Sequence, residues 1–141
     1  MVDAAEFTKA VIAKLDPAQG INGVVAGQFG VAEMEVDSPN FTYPCVRVKV
    51  VYSQPRENGT CREDKDVVSF TVSSFSDNQG SVQCQKLAQA AIEALYGKRL
   101  YVPGQFNTLK INKRGSTGAY KTKPGVWRVD AHFWTHTYAV Q

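Results

Sequence analysis

His132 and His136 are the two histidines of this 141-residue chain, and they stand four apart, the spacing at which a helix would aim both imidazoles at one metal ion. The residues around them alternate instead. Trp127, Val129, Ala131 and Phe133 fall on one face, while Arg128, Asp130, His132, Trp134, His136 and Tyr138 fall on the other, which predicts a long strand over 126–140. On a strand, four residues at ~3.3 Å each separate the two Cα atoms by about 13 Å, too far for a single zinc with ligand bonds of ~2 Å. Asp130 and His132 share a face as a base and its orienting carboxylate would, but no nucleophile accompanies them. Cys84 falls near the start of an expected helix, where the dipole lowers a thiol pKa. Its place on the apolar face predicts a buried, inert thiol. The carboxylates Glu63, Asp64 and Asp66 lack the spaced oxygen donors and central glycine of a calcium loop. The glycines of GINGVVAGQFG, Gly20 to Gly30, form neither GxGxxG nor a phosphate loop, since no Gly-Lys-Ser/Thr follows. No catalytic, metal or cofactor-binding residue is assigned, and the chain is not expected to be an enzyme.

Charge is the stronger signal. The net charge is only +3, yet residues 1–93 hold eight basic and twelve acidic side chains while residues 94–141 hold eight basic ones and one acid, Asp130. Lys110, Lys113, Arg114, Lys121 and Lys123, with Tyr120 among them, occupy a stretch without an acid between Glu93 and Asp130. A basic run of this kind can meet phosphates without reading sequence, can meet an acidic patch on a protein, or can serve solubility. A bipolar chain suits head-to-tail contact between copies or attraction to a polyanion, unless the two segments intermix in the fold and the dipole cancels.

The elements that position these residues follow from periodicity. Asp3 to Leu15 predicts a first helix through Ala5, Val11, Ile12 and Leu15, with Phe7 nearby, closed by Asp16-Pro17. CVRVKVVYSQ, from Cys45, alternates Val46, Val48, Val50 and Tyr52 with Arg47 and Lys49, a strand. The polar connection from Gln54 to Asp66 returns the chain into a second strand, where Val68, Phe70 and Val72 alternate with Ser69, Thr71 and Ser73, so the pair is expected as a long-looped antiparallel hairpin. A turn at Ser-Asp-Asn-Gln-Gly then leads into a helix with Ser81 as N-cap and with Cys84, Ala88, Ala91 and Leu95 on its apolar face, flanked by Leu87 and Ile92. Gly97 sits where a left-handed C-cap belongs, and the alanines let the helix lie close to a sheet. Asn107 to Asn112, with Leu109 and Ile111, predicts a short strand. Residues 113–125, rich in Gly, Ser, Thr and Lys, are expected as a mobile hairpin arm because they offer nothing to a core. The expected fold is α+β: a mostly antiparallel sheet of about four strands, two helices on one face, and the arm.

With 43% hydrophobic and 21% charged residues, the chain suits one compact domain, 1–141. It has no apolar run near the ~20 residues of a membrane helix, and MVDAAEFTKAVIAKL lacks a signal peptide's uninterrupted apolar stretch, so synthesis in a cytoplasm is expected. Cys45, Cys61 and Cys84, odd in number and separated by 16 and 23 residues, match neither a disulfide framework nor zinc-knuckle spacing and are expected as reduced thiols.

In this order of elements the chain resembles the tail-terminator, or tail-completion, family of long-tailed bacteriophages. The resemblance is carried by the N-terminal helix, FTYPCVRVKV (Phe41 to Val50), VSFTVSSFSDNQGSVQCQKLAQAAIEALYGKRL (Val68 to Leu100) and GVWRVDAHFWTHTY (Gly125 to Tyr138). It implies a structural virion protein, made in the host cytoplasm. It further implies a homo-oligomeric ring, usually of six copies, that caps the head-proximal end of the tail tube, stops its polymerisation and joins it to the head's connector. The implied partners are further copies, the tail tube protein and a head-tail connector or neck protein, with no cofactor. A neck or head-completion ring is the related alternative. A small nucleic-acid-binding module using the basic arm is the competing class, and non-specific DNA contact in the lumen stays open with it. The resemblance carries over no functional residue. Candidate contacts to subunits or partners come from charge and loop placement alone: Arg56 and Arg62 in the 56–66 loop, and Lys110, Lys113, Arg114, Tyr120, Lys121 and Lys123 on the arm.

Overall fold

The computed structural model describes residues 4–15, 30–33, 44–55, 65–102, 104 and 106–139. In chain order these form α1 (Ala4–Leu15), β1 (Gly30–Glu33), β2 (Cys45–Pro55), β3 (Lys65–Ser76), α2 (Val82–Leu95), β4 (Tyr101–Val102), β5 (Phe106–Thr108), β6 (Asn112–Ser116), β7 (Tyr120–Lys123) and β8 (Val126–Ala139).

The strands join one curled sheet in the order β1-β2-β3-β8-β5-β4, with β6 and β7 also paired to β8. All pairs are antiparallel except β1 with β2. The expected hairpin is present: Cys45 lies opposite Phe75 and Pro55 opposite Asp66, with a bulge between Val50 and Tyr52. At the centre β3 and β8 pair without interruption, from Lys65 opposite Tyr138 to Ser76 opposite Trp127.

The alternation explains the core. Val68, Phe70 and Val72 from β3, Ala131 and Phe133 from β8, and Val46 and Val48 from β2 point to one face. There Phe7, Val11 and Leu15 of α1 and Leu87, Ala91 and Leu95 of α2 cover them. Both helices therefore lie on one face, as expected. Phe7 is the anchor of α1, its ring 5.3 Å from that of Phe70 and 5.9 Å from that of Phe106. Ala5, expected on the apolar face, is exposed, because two residues before Phe7 is the far side of a 3.6-residue turn. Each fully buried aromatic ring contributes about 2–3 kcal/mol through the surface it removes from water.

On α2, Cys84, Leu87, Ala88, Ala91, Ile92 and Leu95 are all buried, as the spacing predicts. Ser81 stands at the N-cap position without a side-chain capping bond; its hydroxyl accepts instead from Gln85 Nε2 at 3.0 Å. Gly97 takes a left-handed φ of 74°, and its N–H donates to the Ile111 carbonyl at 2.9 Å.

Three expectations need correction. Among the described residues the sheet has eight strands rather than about four, since β1, β4, β6 and β7 are short and carry no hydrophobic alternation to announce them. The strand expected over 107–112 is broken. β5 ends at Thr108 and β6 begins at Asn112, because Ile111 turns away to pair with Gly97 and Lys98 and buries its side chain, leaving Leu109 41% exposed. Finally, residues 113–125 are not a free arm. β6 and β7 run along β8, Asn112 opposite Trp134 and Lys123 opposite Val126, and a tight turn at Pro124-Gly125, with Gly125 at φ 82°, joins β7 to β8. A strand needs only backbone partners to pair, so its lack of core-forming side chains did not keep it off the sheet.

Candidate functional site

Asp130, the single acid of the basic segment 94–141, sits on the face of β8 away from the helices, and its carboxylate gathers three side chains. Ser73 Oγ donates to Oδ1 at 2.5 Å across the β3–β8 pair. Arg128 Nε donates to the same oxygen at 2.7 Å, a mostly buried ion pair, and Tyr120 Oη donates to Oδ2 at 2.6 Å from β7. The backbone joins in: Asp130 N–H donates to Thr117 Oγ1 at 2.9 Å, and Thr117 N–H returns to the Asp130 carbonyl at 2.8 Å. Burial alone pushes this carboxyl up; the hydrogen bonds from Ser73, Tyr120 and Arg128, with the Arg128 charge, outweigh it and leave it below its ordinary value. Burial, then donation to Asp130, raises the Tyr120 phenol.

With both oxygens occupied in this way, Asp130 is a fastener for the outer strands rather than the orienter of a base. His132 shares its face, as predicted, but its Nδ1 hydrogen-bonds Thr71 Oγ1 at 2.9 Å. His136 packs edge-on against Trp134 at 5.2 Å. Among the described residues no three His, Cys, Asp or Glu side chains gather as a metal would require. Cys45 and Cys84 are free thiols in the interior. Burial pushes both up to about 11, and Cys84 donates to the Ser74 carbonyl at 3.2 Å, so a helix start has not activated it.

The predicted contact residues separate into distinct places. Lys113 and Arg114 are exposed on β6 and, with Gly115, face Ile92 and Tyr96 across an open groove of about 410 Å³. Lys121 lies over the Trp127 ring at 5.1 Å, and Tyr120 is bound to Asp130. Lys113 and Lys121 stand opposite Phe133 and Trp127, six residues apart on β8, or about 20 Å. Lys110 is exposed between β5 and β6, and Lys123 closes β7. The cations thus line a sheet edge and do not converge on one anion. Arg56 and Arg62 lie outside the described residues, as do Cys61 and the Gly20-to-Phe29 stretch.

Sequence reasoning missed Ile92 and Tyr96 as partners of Lys113 and Arg114, because the two pairs are 17 or more residues apart and no periodicity connects them. It also missed Asp130 as a fastener. Its solitude among cations was the available signal, since a buried charge needs opposite charge and donors around it.

The tail completion protein gp17 family matches residues 9–136, most of the chain. No curated protein matches it. Among solved structures, a chain of the virion of a native gene transfer agent particle is similar in fold, with a TM-score of 0.74 at 17% identity over 98% of this chain and 99% of that one.

Proposed function

Because this chain belongs to the tail completion protein gp17 family, and is thereby a structural protein of a phage tail, we propose that it forms a ring at the head-proximal end of the tail tube. There it stops polymerisation of the tube protein and offers its other surface to the head connector or neck protein. The family match carries this reading.

No helix among the described residues is long and apolar enough to cross a membrane. The rival reading, a nucleic-acid-binding module, rests on the same cations spread along about 20 Å of sheet edge, of which Lys121 lies over Trp127.

The test is microscopy of tails assembled with and without the chain. Tube protein alone is expected to give tubes of uncontrolled length, and addition of the chain is expected to give capped tubes of defined end structure. Tubes that grow equally long in its presence would overturn the proposal. Salt-sensitive binding of DNA by the purified chain, lost on neutralising Lys113, Arg114, Lys121 and Lys123, would establish the rival.

A further inference from the structure

The solvent side of α2 carries Val82, Lys86, Gln89, Glu93 and then Tyr96, three or four residues apart and hence on one stripe. Its middle is ordinary polar surface. Its ends are apolar and open, Val82 at 59% and Tyr96 at 58% exposure. A single exposed apolar residue needs no explanation, but each of these is joined to charge, and the two charges are opposite. Asp77 is exposed in the turn that leads into Val82. Lys113 and Arg114 stand across the groove from Ile92 and Tyr96.

The two ends are about 20 Å apart, the length of a 14-residue helix. They cannot meet within one copy. Between two copies they are complementary in each respect: apolar to apolar, anion to cations, and the positive start of one helix to the negative end of the next. We propose that the groove at the C-terminal end of α2 receives the Asp77-to-Val82 knob of a second copy. Val82 lies against Ile92 and Tyr96, and Asp77 pairs with Lys113 and Arg114. Such a contact uses two different patches, so it propagates head to tail and closes into a ring when the rotation permits. The inference rests on the ring reading above and assigns that ring's subunit contact.

The competing account of Lys113 and Arg114 is local: α2 has no basic residue in its last turn, and the two cations would offset its dipole within one copy. Sedimentation of the full-length chain over a concentration series separates the two. Lys113→Glu with Arg114→Glu is expected to weaken self-association by about tenfold or more, since like charges then face each other. Adding Asp77→Lys to the same chain is expected to recover association to within about threefold of the original. A zero-length carbodiimide cross-link between Asp77 and Lys113, joining isotopically distinct copies, is expected in the wild-type assembly. Three results would overturn the contact: unchanged association in the double variant, a loss that Asp77→Lys does not recover, or a wild-type chain that stays monomeric at millimolar concentration. Tail length is read separately. If the cross-link forms but tube length is indifferent to the chain, the ring's capping role fails and the contact stands; if length depends on the chain and the cross-link is absent, the reverse holds.

Discussion

On its inward face β8 sets Ala131 and Phe133 in a continuous apolar cluster with β3, α1 and α2; along its outer edge it holds β6 and β7 through backbone pairing and the polar group around Asp130. The first attachment is spread over many dispersion contacts. The second adds to backbone pairing a single carboxylate, which Tyr120 reaches from β7 while its other two donors, Arg128 and Ser73, come from β8 and β3. A fold built this way can lose or rearrange its edge while its core persists, and most of the candidate contact residues are on that edge.

Damage to the core should cost most. Phe133→Ala, which removes a fully buried ring stacked 5.3 Å from Phe70, is expected to lower unfolding free energy by about 3–5 kcal/mol, measured by urea titration. A loss under 1 kcal/mol would show that the two attachments are not so different. Asp130→Ala is expected to cost about 1–3 kcal/mol and, more tellingly, to raise hydrogen exchange at the β6 and β7 amides while leaving β2 and β3 protected. Uniform loss of protection would contradict the division into core and fastened edge.

Acid should imitate that variant. The folded pKa of Asp130 lies below the ordinary 3.8, so its contribution is fully present above that value and drains away as pH falls through the lower folded one. The β6–β7 amides are expected to exchange faster, relative to the core, only at the acid end. Asp130→Asn should abolish the change in protection of these amides, relative to the core, between pH 6 and pH 3. The smallest effect is expected from Lys121→Ala, which removes the cation over Trp127 and should cost about 0.5 kcal/mol at this exposed site, visible mainly as altered Trp fluorescence.

Much of the core was legible in the residues themselves. Val68, Phe70 and Val72 alternate, and Cys84, Ala88, Ala91 and Leu95 recur at helical spacing, because a buried face imposes its period on the chain that makes it. The outer edge imposes no such period. Its strands spend their backbone groups on β8 and their side chains on solvent, so Gly115, Ser116 and Lys121 look like loop. Two local signals were present: Pro124-Gly125 as a hairpin turn, and Asp130 alone among cations. The groove had none, since Tyr96 and Lys113 meet only after the chain has folded.

One count bears on how this sheet bends. From Phe106 opposite Ala139 to Lys123 opposite Val126, the outer side advances 17 positions, 106 to 123, while β8 advances 13, 126 to 139. The surplus is taken up at interruptions, among them the shifts at Lys113/Gly115 and Lys121/Lys123, where extra residues increase twist. Each such interruption bends and twists the edge locally while the pairing with β8 resumes beyond it. Insertions and deletions at these points are therefore changes of local twist rather than of fold.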